Sequence, residues 1–158
     1  MAKQKTTARV IDILNLVYTA EIGAIGIYMD QHAKMDDRGI KKFAERLKAD
    51  ALHEMKHAEE LMERILFVGG PMKYEKHEVP AAALDGVVDM VKLNIDLETR
   101  AIDRLNKGIK ICFDDGDNGS RLLLESILKD EETHLDEYET LLENLETYGD
   151  NFIVTHLI

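Results

Sequence analysis

Glu54 and His57 stand three residues apart in Leu52-His53-Glu54-Met55-Lys56-His57-Ala58-Glu59. The spacing recurs as Glu131 and His134 in Asp130-Glu131-Glu132-Thr133-His134-Leu135. Residues three apart share one face of an α-helix, so each pair can offer a carboxylate and an imidazole to a common point. Two single carboxylates in apolar surroundings, Glu21 and Glu98, extend the set to four carboxylates and two imidazoles. A buried carboxylate without a partner is costly, or stays protonated. Two divalent ions offset four such charges, with carboxylates bridging them and each histidine giving one nitrogen. Oxygen-rich donors that leave open positions suit iron or manganese, and chemistry with O2 or peroxide.

These side chains need long helices to hold them, and the chain supplies four. Thr6 or Thr7 caps a first helix running to about Met35, with Ile11, Leu14, Val17, Tyr18, Ile25 and Tyr28 at helical spacing. Asp36-Asp37-Arg38-Gly39 is a turn, and a second helix runs from about Ile40 to Phe67. Gly69-Gly70-Pro71 ends it, and Val68 to Pro80 reads as a connection without helical period. Pro80 opens a third helix to about Phe113, and Asp114 to Gly119 forms a second turn. A fourth helix covers about Ser120 to Tyr148, and Gly149 separates it from a short fifth helix in the tail Asn151 to Ile158.

The long connection decides the topology. Twelve extended residues reach roughly 40 Å, about the length of a 27-residue helix. The second and third helices can therefore run parallel, giving two antiparallel hairpins joined by one crossover: an all-α, ferritin-like four-helix bundle in a single domain, 1–158. Glu21 and Glu54 are equidistant from the first turn, and Glu98 and Glu131 from the second. The second hairpin repeats the first 77 residues later, with Glu98 for Glu21, Glu131 for Glu54 and His134 for His57. All six side chains are expected at mid-height, facing inward.

A formal net charge of −11 argues against nucleic acid and favours cations. Cys112 is the only cysteine, which excludes an intrachain disulfide and a CxxC metal knuckle and fits a cytoplasmic setting. No signal peptide is apparent, and no run of eighteen apolar residues suggests a membrane span.

From Val10 to about Tyr148 the sequence resembles the bacterioferritins. The resemblance is carried by Glu21-Ile22-Gly23-Ala24-Ile25-Gly26-Ile27-Tyr28, by His53 to Glu59 and by Lys129 to His134. It implies that Glu21, Glu54, His57, Glu98, Glu131 and His134 hold two iron ions per subunit at a ferroxidase site. In that arrangement Glu54 and Glu131 bridge, Glu21 with His57 holds one iron, and Glu98 with His134 holds the other. Tyr28 falls on a tyrosine beside that site, as a core aromatic or an electron relay. Met55 lies on the outer stripe of its helix with Met62 and Leu66, opposite Ile22 and Met29. It matches the axial ligand of a haem b shared between two subunits, with Gly26, Met29 and Lys48 lining the pocket; a bare subunit interface is the plainer reading. The resemblance further implies a 24-subunit homo-oligomeric shell storing iron, Fe2+ and O2 or H2O2 as reactants, and a ferredoxin as candidate electron donor for iron release. Asp50 and His53, beside the metal face, read as surface residues that could assist iron transfer. Rivals on the same bundle are a rubrerythrin-like or manganese-catalase-like peroxide-consuming enzyme and a haem-binding electron carrier. The missing CxxC pairs speak against rubrerythrin, and the complete ligand set against a carrier.

Overall fold

The structure is a computed structural model that describes residues 6–76 and 85–158. Four long helices make up nearly all of it: α1 (Ala8–Asp37), α2 (Lys41–Phe67), α3 (Val87–Asp114) and α4 (Asn118–Tyr148). A short α5 (Asp150–Phe152) runs into a single π-helical turn, Ile153–Leu157. Thr7 caps α1 as its type suggests, its Oγ1 accepting from Val10 N at 3.3 Å. Asp117 caps α4 by accepting from Ser120 N at 2.9 Å, and Arg64 Nη2 braces that carboxylate at 2.6 Å.

Both hairpins close in the same way. Gly39 and Gly116 sit in the left-handed region (φ 79° and 75°). That backbone lets Ile40 N reach Met35 O at 3.0 Å and Asp117 N reach Cys112 O at 2.8 Å, so each helix end is satisfied before the chain reverses.

The described start of the crossover runs along α1. At its start Gly70 packs against Ile11; further on, Asn15 accepts from Lys73 N at 2.8 Å and donates to Pro71 O at 3.0 Å. Tyr74 meets the edge of Tyr18, with centroids 6.4 Å apart. At the far end Arg38 donates to Asp85 O. The chain therefore leaves beside the start of α1 and re-enters beside its end, so α2 and α3 are parallel.

One boundary differs from expectation. Asp85 and Gly86 form a bend, with Gly86 extended (φ −100°, ψ 140°) as the N-cap, so α3 begins at Val87 and is not continuous from Pro80. Pro80 itself lies outside the described residues. The later start improves the alignment: Glu98 is eleven residues into α3 and Glu54 thirteen into α2.

The core comes in two apolar blocks. One, around Phe43, Leu47, Met90 and Leu145, also takes in Leu157 of the tail. The other, around Leu14, Leu61, Leu105 and Leu124, fills the opposite end. Between them lies a polar layer. Helix α1 is long and apolar enough, with mean hydropathy 1.6, to cross a membrane by length and composition alone. Here it packs on α2 and α3, and its inner face buries Asn15, Glu21 and Gln31. Gln31 pairs reciprocally with Asn94 at 2.8 and 2.9 Å, so that polar pair leaves no amide unsatisfied.

Candidate metal centre

The polar layer consists of the six residues singled out by spacing. Glu21 comes from α1, Glu54 and His57 from α2, Glu98 from α3, Glu131 and His134 from α4, and every one is at most 5% exposed. The two Glu-x-x-His pairs meet across the bundle because α2 and α4 face each other at this height.

Both histidines turn Nδ1 inward. His57 Nδ1 lies 3.1 Å from Glu54 Oε2, 3.3 Å from Glu131 Oε1 and 3.6 Å from Glu21 Oε2. His134 Nδ1 lies 3.2 Å from Glu131 Oε2, 3.4 Å from Glu54 Oε1 and 3.8 Å from Glu98 Oε1. Two donor groups result, Glu21/Glu54/His57/Glu131 and Glu54/Glu98/Glu131/His134, each with its ligand atoms within 4.8 Å of one another. They share Glu54 and Glu131. Each adds one further carboxylate and one imidazole, so the layer offers two overlapping donor sets, each able to take a cation. Glu54 Oε1 and Glu131 Oε1 are buried and accept no hydrogen bond, as expected of oxygens that serve a cation.

Protons show how the layer balances without metal. Burial and the neighbouring Glu54 carboxylate push Glu21 well up, despite the opposing hydrogen bond to His57. Burial and Glu131 push Glu98 up to about 10. Burial also acts to raise Glu54 and Glu131, but the two imidazoles that face them prevail and hold both below the usual range. Against burial, hydrogen bonds to the carboxylates raise His57, and raise His134 to about 11. The metal-free layer thus carries two carboxylates, two carboxylic acids and two imidazolium ions, with no net charge. Trading the four extra protons for two divalent cations leaves it neutral again.

Outside the cluster, Asp130 Oδ2 lies 3.1 Å from His57 Nε2, and His53 Nδ1 lies 2.9 Å from His134 Nε2. His53 Nε2 is 3.4 Å from the same Asp130 oxygen. These contacts fix the ring orientation of both histidines, so His53 is more than a surface residue. Asp50 is not at the surface: it is 7% exposed and receives the Tyr138 hydroxyl proton in a hydrogen bond. Its burial depends on a partner from α4, which helix spacing does not specify. Tyr28 is fully buried and donates to Glu98 Oε1. Sequence reasoning missed Asp130, although it stands one residue before Glu131 and a ligand imidazole needs an acceptor behind it.

A cavity of about 290 Å³ opens onto the cluster between α1 and α3. Small residues, Ala20, Gly23, Ala24 and Ala101, leave the space, and Arg100 and Arg104 flank it. On the outer side of α2, Met55 is 53% exposed, with exposed Leu52 three residues before it on the same helix face; Met29 of α1 is 42% exposed. Leu52 joins this stripe without having been picked out by spacing.

A bundle with a buried layer of four carboxylates and two histidines and one long crossover defines a class, and sequence comparison agrees with it. A family model described as a Ferritin-like domain matches residues 11–148. The chain is 37% identical over 150 residues to the bacterioferritin of Streptomyces coelicolor, covering 94% of this chain and 89% of that protein. It is 31% identical over 151 residues to that of Desulfovibrio desulfuricans (96% and 84%) and 34% identical over 143 residues to that of Mycobacterium bovis (89% and 88%). The chain belongs to the bacterioferritins, within the ferritin-like family.

Proposed function

We propose that this protein stores iron as a ferroxidase, oxidising Fe2+ with O2 or peroxide at the six-residue layer and passing Fe3+ to a mineral inside a homo-oligomeric, 24-subunit shell in the cytoplasm. The observation that carries the reading is the pair of four-donor groups sharing Glu54 and Glu131.

Iron is the substrate. Two Fe2+ arrive through the cavity between α1 and α3, drawn by the carboxylates. Glu21 and Glu98 give up their protons as they become ligands, and His57 and His134 give up one each. Glu54 and Glu131 bridge, bringing the ions close enough to deliver two electrons to one oxidant. Asp130 and His53 hold the imidazoles in orientation throughout. Stopped-flow absorbance with added Fe2+ tests this: a fast ferric signal is expected, followed by retention of many irons per particle on size-exclusion chromatography. A small oligomer that consumes peroxide and retains no iron contradicts it.

The outer stripe fits a haem b. A thioether is an established axial ligand type, and Met55 presents one at an apolar surface with Leu52 and Met29 beside it. A second copy across a two-fold axis would supply the other Met55, and Gly26, Met29 and Lys48 would line the pocket. Bound there, haem would carry electrons toward the stored mineral, from a donor such as a ferredoxin. Met55→Leu is expected to abolish the Soret band of the purified protein; an unchanged band refutes this ligation.

A further inference from the structure

Tyr28 and Tyr138 are both fully buried, with ring centroids 6.3 Å apart and planes within 8°. Tyr28 donates to Glu98 of the metal layer, while Tyr138 donates to a different acid, Asp50 of α2. Arg46 closes the far end. Its guanidinium lies 4.6 Å over the Tyr138 ring, its Nε is 3.5 Å from Asp50 Oδ2, and its Nη2 is 2.7 Å from Glu137, whose side chain is 50% exposed. A continuous line of aromatic rings and acid–base groups therefore joins the metal layer to the surface. Packing alone asks for phenylalanine at such positions, because a buried hydroxyl must find a partner. Here each hydroxyl has its own acid as that partner.

We propose that Tyr138 is a second one-electron donor to the iron layer, acting through Tyr28 and handing its phenolic proton to Asp50. The inference rests on the ferroxidase reading above. Reduction of O2 to two waters takes four electrons and four protons, and two Fe2+ supply only two of the electrons. Tyr28 gives the third, its proton moving to Glu98. Tyr138 then reduces the Tyr28 phenoxyl: its electron crosses the stacked pair, its proton passes to Asp50, and Tyr28 recovers its own proton from Glu98. Tyr28 can now give the fourth electron. Both residues end as phenoxyls, and the oxygen–oxygen bond is broken without release of peroxide. Tyr28's proton goes again to Glu98, and further Fe2+ at the carboxylate surface near Glu137 restores both phenols, Asp50 returning its proton to Tyr138 and Glu98 its proton to Tyr28. The sum is four Fe2+, one O2 and four protons giving four Fe3+ and two waters. Peroxide needs only two electrons, so the relay is idle with that oxidant.

The test is freeze-quench electron paramagnetic resonance of the full assembly loaded with two Fe2+ per subunit and mixed with O2. The unmodified protein is expected to give a spin-coupled phenoxyl pair, because the rings are 6.3 Å apart. Tyr138→Phe should lose the coupling and leave an isolated phenoxyl, and Tyr28→Phe should lose both radicals. Asp50→Asn keeps a hydrogen-bonding partner but removes the proton acceptor; it should also lose the pair, which guards against a packing defect in Tyr138→Phe. With peroxide as oxidant, iron oxidation should be the same in all forms but without radicals. Rapid iron oxidation with an isolated phenoxyl of equal yield in unmodified and Tyr138→Phe protein overturns the relay alone. No rapid iron oxidation in the unmodified protein with either oxidant overturns the ferroxidase reading and the relay with it.

Discussion

At Glu98 and His134, the protein holds protons that a metal ion must displace. Glu98 is raised to about 10 and His134 to about 11, with Glu21 and His57 raised as well. Cation binding is therefore expected to release about four protons per pair of ions and to strengthen as pH rises. Calorimetric titration with Zn2+ in buffers of different ionisation enthalpy measures that number directly. The same groups set the pH dependence of the metal-free fold. A folded-state pKa above the unfolded value means the folded chain binds more protons, so stability falls as pH rises past the unfolded pKa. The raised Glu98 and His134 thus make the metal-free protein lose stability as pH rises above 4.5 for Glu98 and 6.5 for His134, until their folded values of about 10 and about 11 are passed. The lowered Glu54 and Glu131 act oppositely, and their contribution is lost in acid. Melting temperature should therefore peak in mildly acidic solution without metal, and Zn2+ should remove the decline above that pH. Behind the ligands, Asp130→Asn should weaken metal affinity by about 10–100-fold while leaving the fold intact, because it disturbs the orientation of His57 directly and that of His134 through His53.

At the scale of elements, much of this arrangement was legible. Thr7, the Asp36–Gly39 and Asp114–Gly119 turns, and the 77-residue repeat located the hairpins and put six ligands at one height. Helical period is enough for that, because it fixes which face a residue occupies. What it cannot fix is which side chains on different helices touch. Asp50 looked like a surface residue because nothing local shows that Tyr138 reaches it from α4. Asp130 escaped notice for the same reason, its partner being His57 of α2. The start of α3 was placed too early because a proline is a helix opener by type, whereas Gly86 adopts the cap here. Close packing adds a testable point: a Cβ at Gly108 would lie 2.8 Å from Leu124 Cδ1 and 3.1 Å from Ile13 Cγ1. Gly108→Ala should therefore destabilise by about 1–3 kcal/mol through overpacking, in denaturant unfolding, although alanine favours helix.

For the whole molecule, two apolar blocks hold a polar layer that neither could tolerate unless it were paired internally or filled by metal. The outer face continues that logic. Leu52 and Met55 are exposed on one face of α2 and Met29 is exposed on α1, and a second copy of this hairpin packed on the α2 face would cover Leu52 and Met55. Leu52→Glu should shift the assembly toward smaller species in sedimentation velocity without changing the helical content. Its effect on iron chemistry should be small in the first turnover, since each subunit carries a whole metal layer, and large in storage, which needs a closed shell.

The central claim is that the six residues form a two-iron oxidation site. It is tested most directly by stopped-flow absorbance after stepwise anaerobic loading with Fe2+ and mixing with O2. The fast ferric phase should grow with added iron and saturate at two Fe2+ per subunit, and Glu131→Gln should slow it by roughly 100-fold or more, a bridging charge having been removed at nearly constant shape. A fast phase that saturates elsewhere, or one that Glu131→Gln leaves unchanged, would contradict the site.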